Sequence, residues 1–282
     1  MYEKEIWRFK DSIEYEFKFK GEYGGKGSKR AVKVKPSPEQ IEKANQRKRS
    51  KNIRRLLKAN FERGDLWCTL KYPKGSRPSL EQIKEKDLRN FFRRLKRKYK
   101  NLGTDLKYIY RLEIGSQGGA HIHIVLNRPP GVDADLMVQE EWKPGRVNIE
   151  PVYDTEFTKL AEYIVKKPTE EIYKQLSFIP EEQQKEFIKF SSSRNLIRPE
   201  PEKKKYTRRT MEKLIKDGPT PSEGFYIDKN SIYYGINPFN GMTYFYYTEL
   251  RGEDSGSNLY ENNIESGWPP GWQTGSAPFF TN

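Results

Sequence analysis

The sequence predicts an α+β protein in which strands of a hairpin-forming sheet are interleaved with long basic helices. Three observations carry that prediction. Leu66 to Tyr72, Tyr108 to Ile114 and His121 to Leu126 are short runs rich in β-formers. Glu39 to Asn60 and Ser79 to Lys100 read as helices, the second with Leu88, Phe91, Phe92, Leu95 and Tyr99 at helical spacing to face a sheet. Gly115, Gly118 and Gly119 punctuate the gap between Ile114 and His121, which is a hairpin signal.

The remaining elements follow in order. Ile13 to Lys20 alternates apolar with charged residues, the mark of a half-buried strand. Gly21 to Ser28 is a glycine-rich turn and Arg30 to Lys35 alternates again, so residues 1–35 are expected to form an N-terminal β-hairpin extension. Ser37 and Pro38 supply a cap and a first-turn residue for the helix that follows. Beyond the histidine hairpin, Val132 to Gln139 reads as a short helix and Gly145 to Pro151 as a short strand. Asp154 to Lys167 reads as an amphipathic helix with Phe157, Leu160, Ala161 and Ile164 on its apolar stripe, capped by Asp154 or Thr155. Glu170 to Phe190 is a further helical stretch, broken around Ile179-Pro180. Ser191 to Ser193 and Lys203 to Lys205 look like a linker or a surface arm. Tyr206 to Gly218 reads as a short helix, and Phe225 to Glu249 as strands around a turn at Asn237 to Gly241. Residues 251–282 hold no convincing element, so the C-terminal extension, 201–282, is expected to be partly disordered.

Composition restricts the class of partner. Hydrophobic residues make up 34% of the 282 and charged residues 33%, with a mean hydropathy of −0.98, so the surface is very polar. A net charge of +14 points to a polyanion. No apolar run approaches a membrane span, and Met1 to Phe19 is too charged for a signal peptide. Cys68 is the only cysteine, which excludes an internal disulfide and a cysteine-cluster zinc site. A cytoplasmic protein without membrane contact is expected.

The positive charge is concentrated. From Lys43 to Phe61 there are eight Lys or Arg residues and no Asp or Glu. Such a row repels itself unless a polyanion or an acidic neighbouring surface relieves it. Lys43, Arg47, Lys48, Lys51, Arg54 and Arg55 are therefore candidate phosphate contacts, as are Arg93 and Arg97 on the polar face of the second helix.

The chemistry is expected at the histidine hairpin. His121 and His123 are the only histidines, and a strand turns both to one face with Ile122 and Ile124 opposite. Pairing Ile114 with Ile122 would set Glu113 against His123 on that same face, a placement that depends on register. Two imidazoles and a carboxylate suit a divalent ion, Mn2+ or Mg2+, with positions left open for a phosphate and water. Zinc could take the same ligands. Tyr163, with Lys166 and Lys167 three and four residues on, is a candidate nucleophile whose phenolate the ammonium groups would favour.

Together, Leu66-Trp-Cys-Thr-Leu-Lys-Tyr72, His121-Ile-His123 and Tyr163-Ile-Val-Lys166 resemble the three ordered motifs of the His-hydrophobic-His (HUH) superfamily of single-strand endonucleases. Within it they are most similar to rolling-circle replication initiators of plasmids and phages. The resemblance covers about residues 36–200 and departs from the usual pattern at Lys71, where the family has a second threonine. It implies a ferredoxin-like or RNA-recognition-motif-like core, a central antiparallel sheet backed by helices, with the histidine strand in the centre. It also implies that Tyr163 attacks single-stranded or hairpin origin DNA, forming a 5′-phosphotyrosine link and releasing a 3′-hydroxyl. No G-x-x-x-x-G-K-[ST] occurs, so a host helicase and polymerase are the implied partners. A single-tyrosine transposase, a relaxase and a non-catalytic nucleic-acid-binding module are the alternatives.

Overall fold

In the computed structural model the described residues are 2–20, 36–76, 78–115, 119–167, 170, 174, 177, 180–237 and 242–252. They fall into two compact units, one of residues 38–199 and one that joins 1–37 to 200–282. Each contains a five-stranded sheet, and every strand pairing is antiparallel.

In the unit formed by the chain ends, β1 (Tyr2–Arg8) and β2 (Ser12–Phe19) make a tight hairpin. The strict alternation of β2 sends Ile13, Tyr15 and Phe17 into a core with Ile6, Phe245 and Tyr247. Its other neighbour is β10 (Thr243–Arg251), which pairs in turn with β9 (Phe225–Ile236). The expected hairpin of residues 1–35 is thus corrected in part. Both edges of β2 are taken, by β1 and β10, while Arg30 to Lys35 lies outside the described residues. The lysine run read as a surface arm is the edge strand β8 (Glu202–Tyr206), where Lys205 faces Glu3 and Lys203 faces Glu5 across β1. Opposite charges in directly paired positions explain how so polar a segment holds a strand. Between β8 and β9 runs a helix, Arg208–Asp217, whose Thr207 side chain caps it and whose Met211 enters the core. The disorder expected of the C-terminal residues concerns 253–282, outside the described residues, as are 238–241 of the turn expected between β9 and β10.

The second unit has strand order β6-β3-β5-β4-β7, with β3 (Leu66–Lys71), β4 (Tyr108–Ile114), β5 (Ala120–Leu126), β6 (Arg146–Pro151) and β7 (Phe190–Ser192). The histidine strand β5 is central, as the resemblance implied. Ser191 and Ser192, read as linker, belong to β7 and close the far edge against β4. Two cores lie on opposite faces. Leu66, Cys68, Leu70, Leu112, Ile114, Ile122, Ile124 and Leu126 pack with Leu88 and against α2 (Arg89–Asn101) through Phe91, Leu95 and Tyr99. A π-helical segment, Gln82–Leu88, leads into α2, and α3 (Ala134–Glu141) covers the same face. On the other face Ile109 and Val125 pack against α1 (Pro38–Lys58) and α4 (Thr158–Val165). A further helix, α5 (Glu181–Ile188), precedes β7. Among the described residues no helix is long and apolar enough to cross a membrane.

Candidate active site

The site lies on the α1/α4 face, where polar positions of three strands replace apolar ones. The hairpin closes two residues tighter than the expected register: Gly115 N–H donates to Gly119 O at 2.9 Å, and Ile114 pairs with Ala120 instead of Ile122. Glu113 therefore lies opposite His121, not His123. The shift is two residues, an even number, so Glu113 keeps the face that the expected register gave it. From there its Oε2 reaches diagonally to within 3.0 Å of His123 Nε2.

Tyr163 is delivered by α4. This helix runs only from Thr158 to Val165, shorter than the predicted Asp154 to Lys167. Its N-cap is Phe157, buried in the core with φ of 54° and no capping side chain, while Asp154 instead accepts a bond from Glu156 N–H. A left-handed phenylalanine is strained, and its burial among α1 and sheet residues holds it there. Side chains take the carbonyls of the last turn. Arg111 donates to Tyr163 O and Ile164 O, each at 3.1 Å, and Gln46 donates to Val165 O at 2.7 Å. A cation at a helix C-terminus also suits the dipole.

With the helix so held, Tyr163 Oη donates to Glu113 Oε2 at 2.6 Å and lies 2.9 Å from His123 Nε2. The opposite nitrogen of His123 is 3.2 Å from Thr69 Oγ1, and Trp67 stacks on the imidazole. His123 thus turns Nε2 toward Glu113 and Tyr163 and Nδ1 toward Thr69.

Electrostatics follow from this geometry. The hydrogen bond from His123, helped by that from Tyr163, holds Glu113 down to about 2 despite its burial. Burial and the Glu113 hydrogen bond push the Tyr163 phenol well above its ordinary value. His121 is lowered by burial first, then by the charges of Lys71 and His123. The predicted activation of Tyr163 by lysines is corrected here. The chain leaves the helix at Lys166, and Lys167 is spent in a 2.7 Å ion pair with Glu42 on α1. The cation that acts on Tyr163 is Arg111, and its effect is outweighed.

Two of the three expected metal ligands fit a small ion. Ligand atoms about 2.1 Å from an octahedral cation and at right angles lie about 3.0 Å apart. Glu113 Oε2 and His123 Nε2 have that separation. His121 shares their face, but its ring centroid is 6.4 Å from that of His123. Among the described residues no three His, Cys, Asp or Glu side chains are grouped to hold an ion.

The candidate phosphate contacts divide by face. Lys43, Arg47 and Lys48 are exposed on α1, on the same side of the sheet as Tyr163, and Lys51 is half-buried. Arg54 and Lys58 pair with Glu156, at 3.7 and 2.6 Å, so an acidic neighbour relieves that end of the row. Arg55 is buried, which removes it from the expected solvent-facing set. Arg93 and Arg97 are exposed, but α2 lies across the sheet from the nucleophile. Trp67, Thr69 and Arg111 belong to the site and were not singled out from sequence. The signal for Thr69 and Arg111 was a polar residue on the strand face that also carries Glu113, with Cys68 and Leu112 opposite; Trp67 shares that face but carries no polar signal of its own.

Residues 65–170, the segment from β3 to just beyond α4, match a family model for the replication-associated protein ORF2. The match is consistent with a rolling-circle replication initiator and with DNA as partner. Comparisons with curated proteins and with solved structures gave no match.

Proposed function

We propose, from the match to a family of replication-associated proteins, that the chain nicks and rejoins single-stranded origin DNA through a 5′-phosphotyrosine intermediate. The observation that carries this reading is the Tyr163 hydroxyl, within hydrogen-bond reach of both Glu113 and His123. A phenol among metal-ligand types on a strand is a nucleophile beside a phosphate-activating centre.

In the cleavage step Tyr163 Oη forms a bond to phosphorus and the bond to the 3′-oxygen breaks. Tyr163 Oη gives up its proton through Glu113 Oε2, an ionised carboxylate at neutral pH, to solvent. The departing 3′-oxygen takes one from solvent to leave as a hydroxyl, so the proton count is unchanged. Attack of a 3′-hydroxyl on the phosphotyrosine reverses the exchange, so one ester replaces another. Glu113, His123 and, after rotation, His121 would hold Mn2+ or Mg2+, which would polarise the scissile phosphate and favour the phenolate. Burial and Glu113 raise the Tyr163 phenol, and a cation bound beside it would act in the opposite sense. Arg111 and Gln46 hold the helix end so that the hydroxyl stays over the strand pair. Lys166, exposed beside that end, would contact the phosphate. A host helicase and polymerase would act on the opened strand and its 3′-hydroxyl.

The test is a denaturing gel after incubation with hairpin-containing single-stranded DNA from the protein's own replicon and Mn2+. A covalent band is expected, absent in Tyr163→Phe and reduced about 10²-fold or more in His121→Ala or with EDTA. No band from the wild type on any such hairpin would overturn the nuclease reading.

A further inference from the structure

The antiparallel registers arrange the site face in rows, because directly paired residues share a face. One row reads Arg146 on β6, Lys71 on β3, His121 on β5 and Glu113 on β4. The next reads Asn148, Thr69, His123 and Arg111. Lys71 and Arg146 thus stand one and two strand spacings from His121, about 5 and 10 Å along the sheet. We propose that Lys71 and Arg146 form a phosphate-binding pair that holds the single-stranded DNA backbone beside the scissile phosphate. The identity of that phosphate rests on the function proposed above; the binding itself does not.

Three observations support the pair. Both side chains are exposed, and neither forms an ion pair among the described residues. Several other cations of this unit are ion-paired: Lys58 with Glu156, Arg94 and Lys98 with Glu141, and Lys167 with Glu42. Next, Lys71 and Arg146 are directly opposite one another in the β3–β6 ladder. Like charges in that position destabilise a sheet, and an anion bound between them relieves the repulsion. Finally, the backbone beneath them is fixed. Trp142 Nε1 donates to Lys71 O at 3.2 Å, and Gly145 lies so close that a Cβ there would collide with the same carbonyl. The strand carrying Arg146 is therefore pressed against Lys71 by a contact that only glycine permits. Because β6 is an edge strand, a DNA strand that crosses Lys71 and Arg146 passes from the site directly to solvent.

The experiment is carried out on the full chain with Tyr163→Phe, so that binding is read without cleavage. A fluorescent single-stranded oligonucleotide of mixed sequence is titrated at several salt concentrations. Each lost phosphate contact on a single strand flattens the plot of log affinity against log salt by about 0.7, so Lys71→Ala with Arg146→Ala is expected to flatten it by about 1.4. Affinity at low salt should fall about tenfold, and Lys71→Arg with Arg146→Lys should restore most of both. An unchanged slope in the double alanine variant would overturn the pair. So would an equal loss in the charge-preserving variant, because that pattern reports damage to the strand rather than lost charge. Absence of a covalent band in the wild type, with this salt response intact, would count against the nuclease reading alone.

Discussion

Tyr163 and Glu113 depend on each other, and their dependence has a pH signature in the metal-free protein. Glu113 is held down to about 2, whereas a free glutamate titrates near 4.3. Its ionised form thus stabilises the fold above the unfolded-state value, and this stabilisation is lost as pH falls toward the folded value. Glu113→Gln is expected to lower the melting temperature at pH 7 in EDTA, with the gap to wild type closing between about pH 4.3 and pH 2. A gap of constant size across that window would show that the carboxylate charge contributes nothing. The same variant should weaken Mn2+ binding in calorimetry; unchanged affinity would remove Glu113 from the ligand set. Cys68 is silent at this scale. Burial pushes its thiol up to about 12, which suits a core residue and not a nucleophile.

At the level of elements, α4 is short and depends on its neighbours. Its eight residues would not persist alone in water, and its end is held by Arg111 and Gln46. Arg111→Met should cost roughly 1.5–3 kcal/mol, the range for hydrogen bonds to a charged group, and should reduce covalent-complex formation more than metal binding. Equal reductions in both would place Arg111 with the ligands instead of with the helix. The period-two pattern of β5 made the histidine face readable from sequence, since alternation depends only on local geometry. Register was less readable, because a glycine-rich gap between Ile114 and His121 closes in more than one way. The extent of α4 was misread for a related reason: Phe157 and Lys166 take non-helical backbones that tertiary contacts impose, and helical spacing alone does not reveal them.

For the whole chain, residues 38–199 have their own sheet and cores on both of its faces. A fragment of those residues is expected to unfold cooperatively and to retain metal binding; a fragment without a cooperative transition would contradict this. The mixed arrangement of the other unit was hidden from sequence because β2 pairs with strands at both ends of the chain. Alternation identified β2 as a strand, but a partner more than two hundred residues away leaves no local mark. Charge was legible in amount and less so in use. The row from Lys43 to Phe61 marks α1 correctly as basic, yet Arg54 and Lys58 meet an acidic neighbour and Arg55 is buried.

Covalent attachment of Tyr163 to DNA can be read by mass spectrometry of the protein after reaction with cleavable hairpin DNA, nuclease trimming and proteolysis. The peptide containing Tyr163 is expected to carry a nucleotide through its 5′-phosphate, and the released strand to have a 3′-hydroxyl a polymerase can extend. A nucleotide found on a different residue, or a released strand ending in a 3′-phosphate, would contradict the proposed reaction.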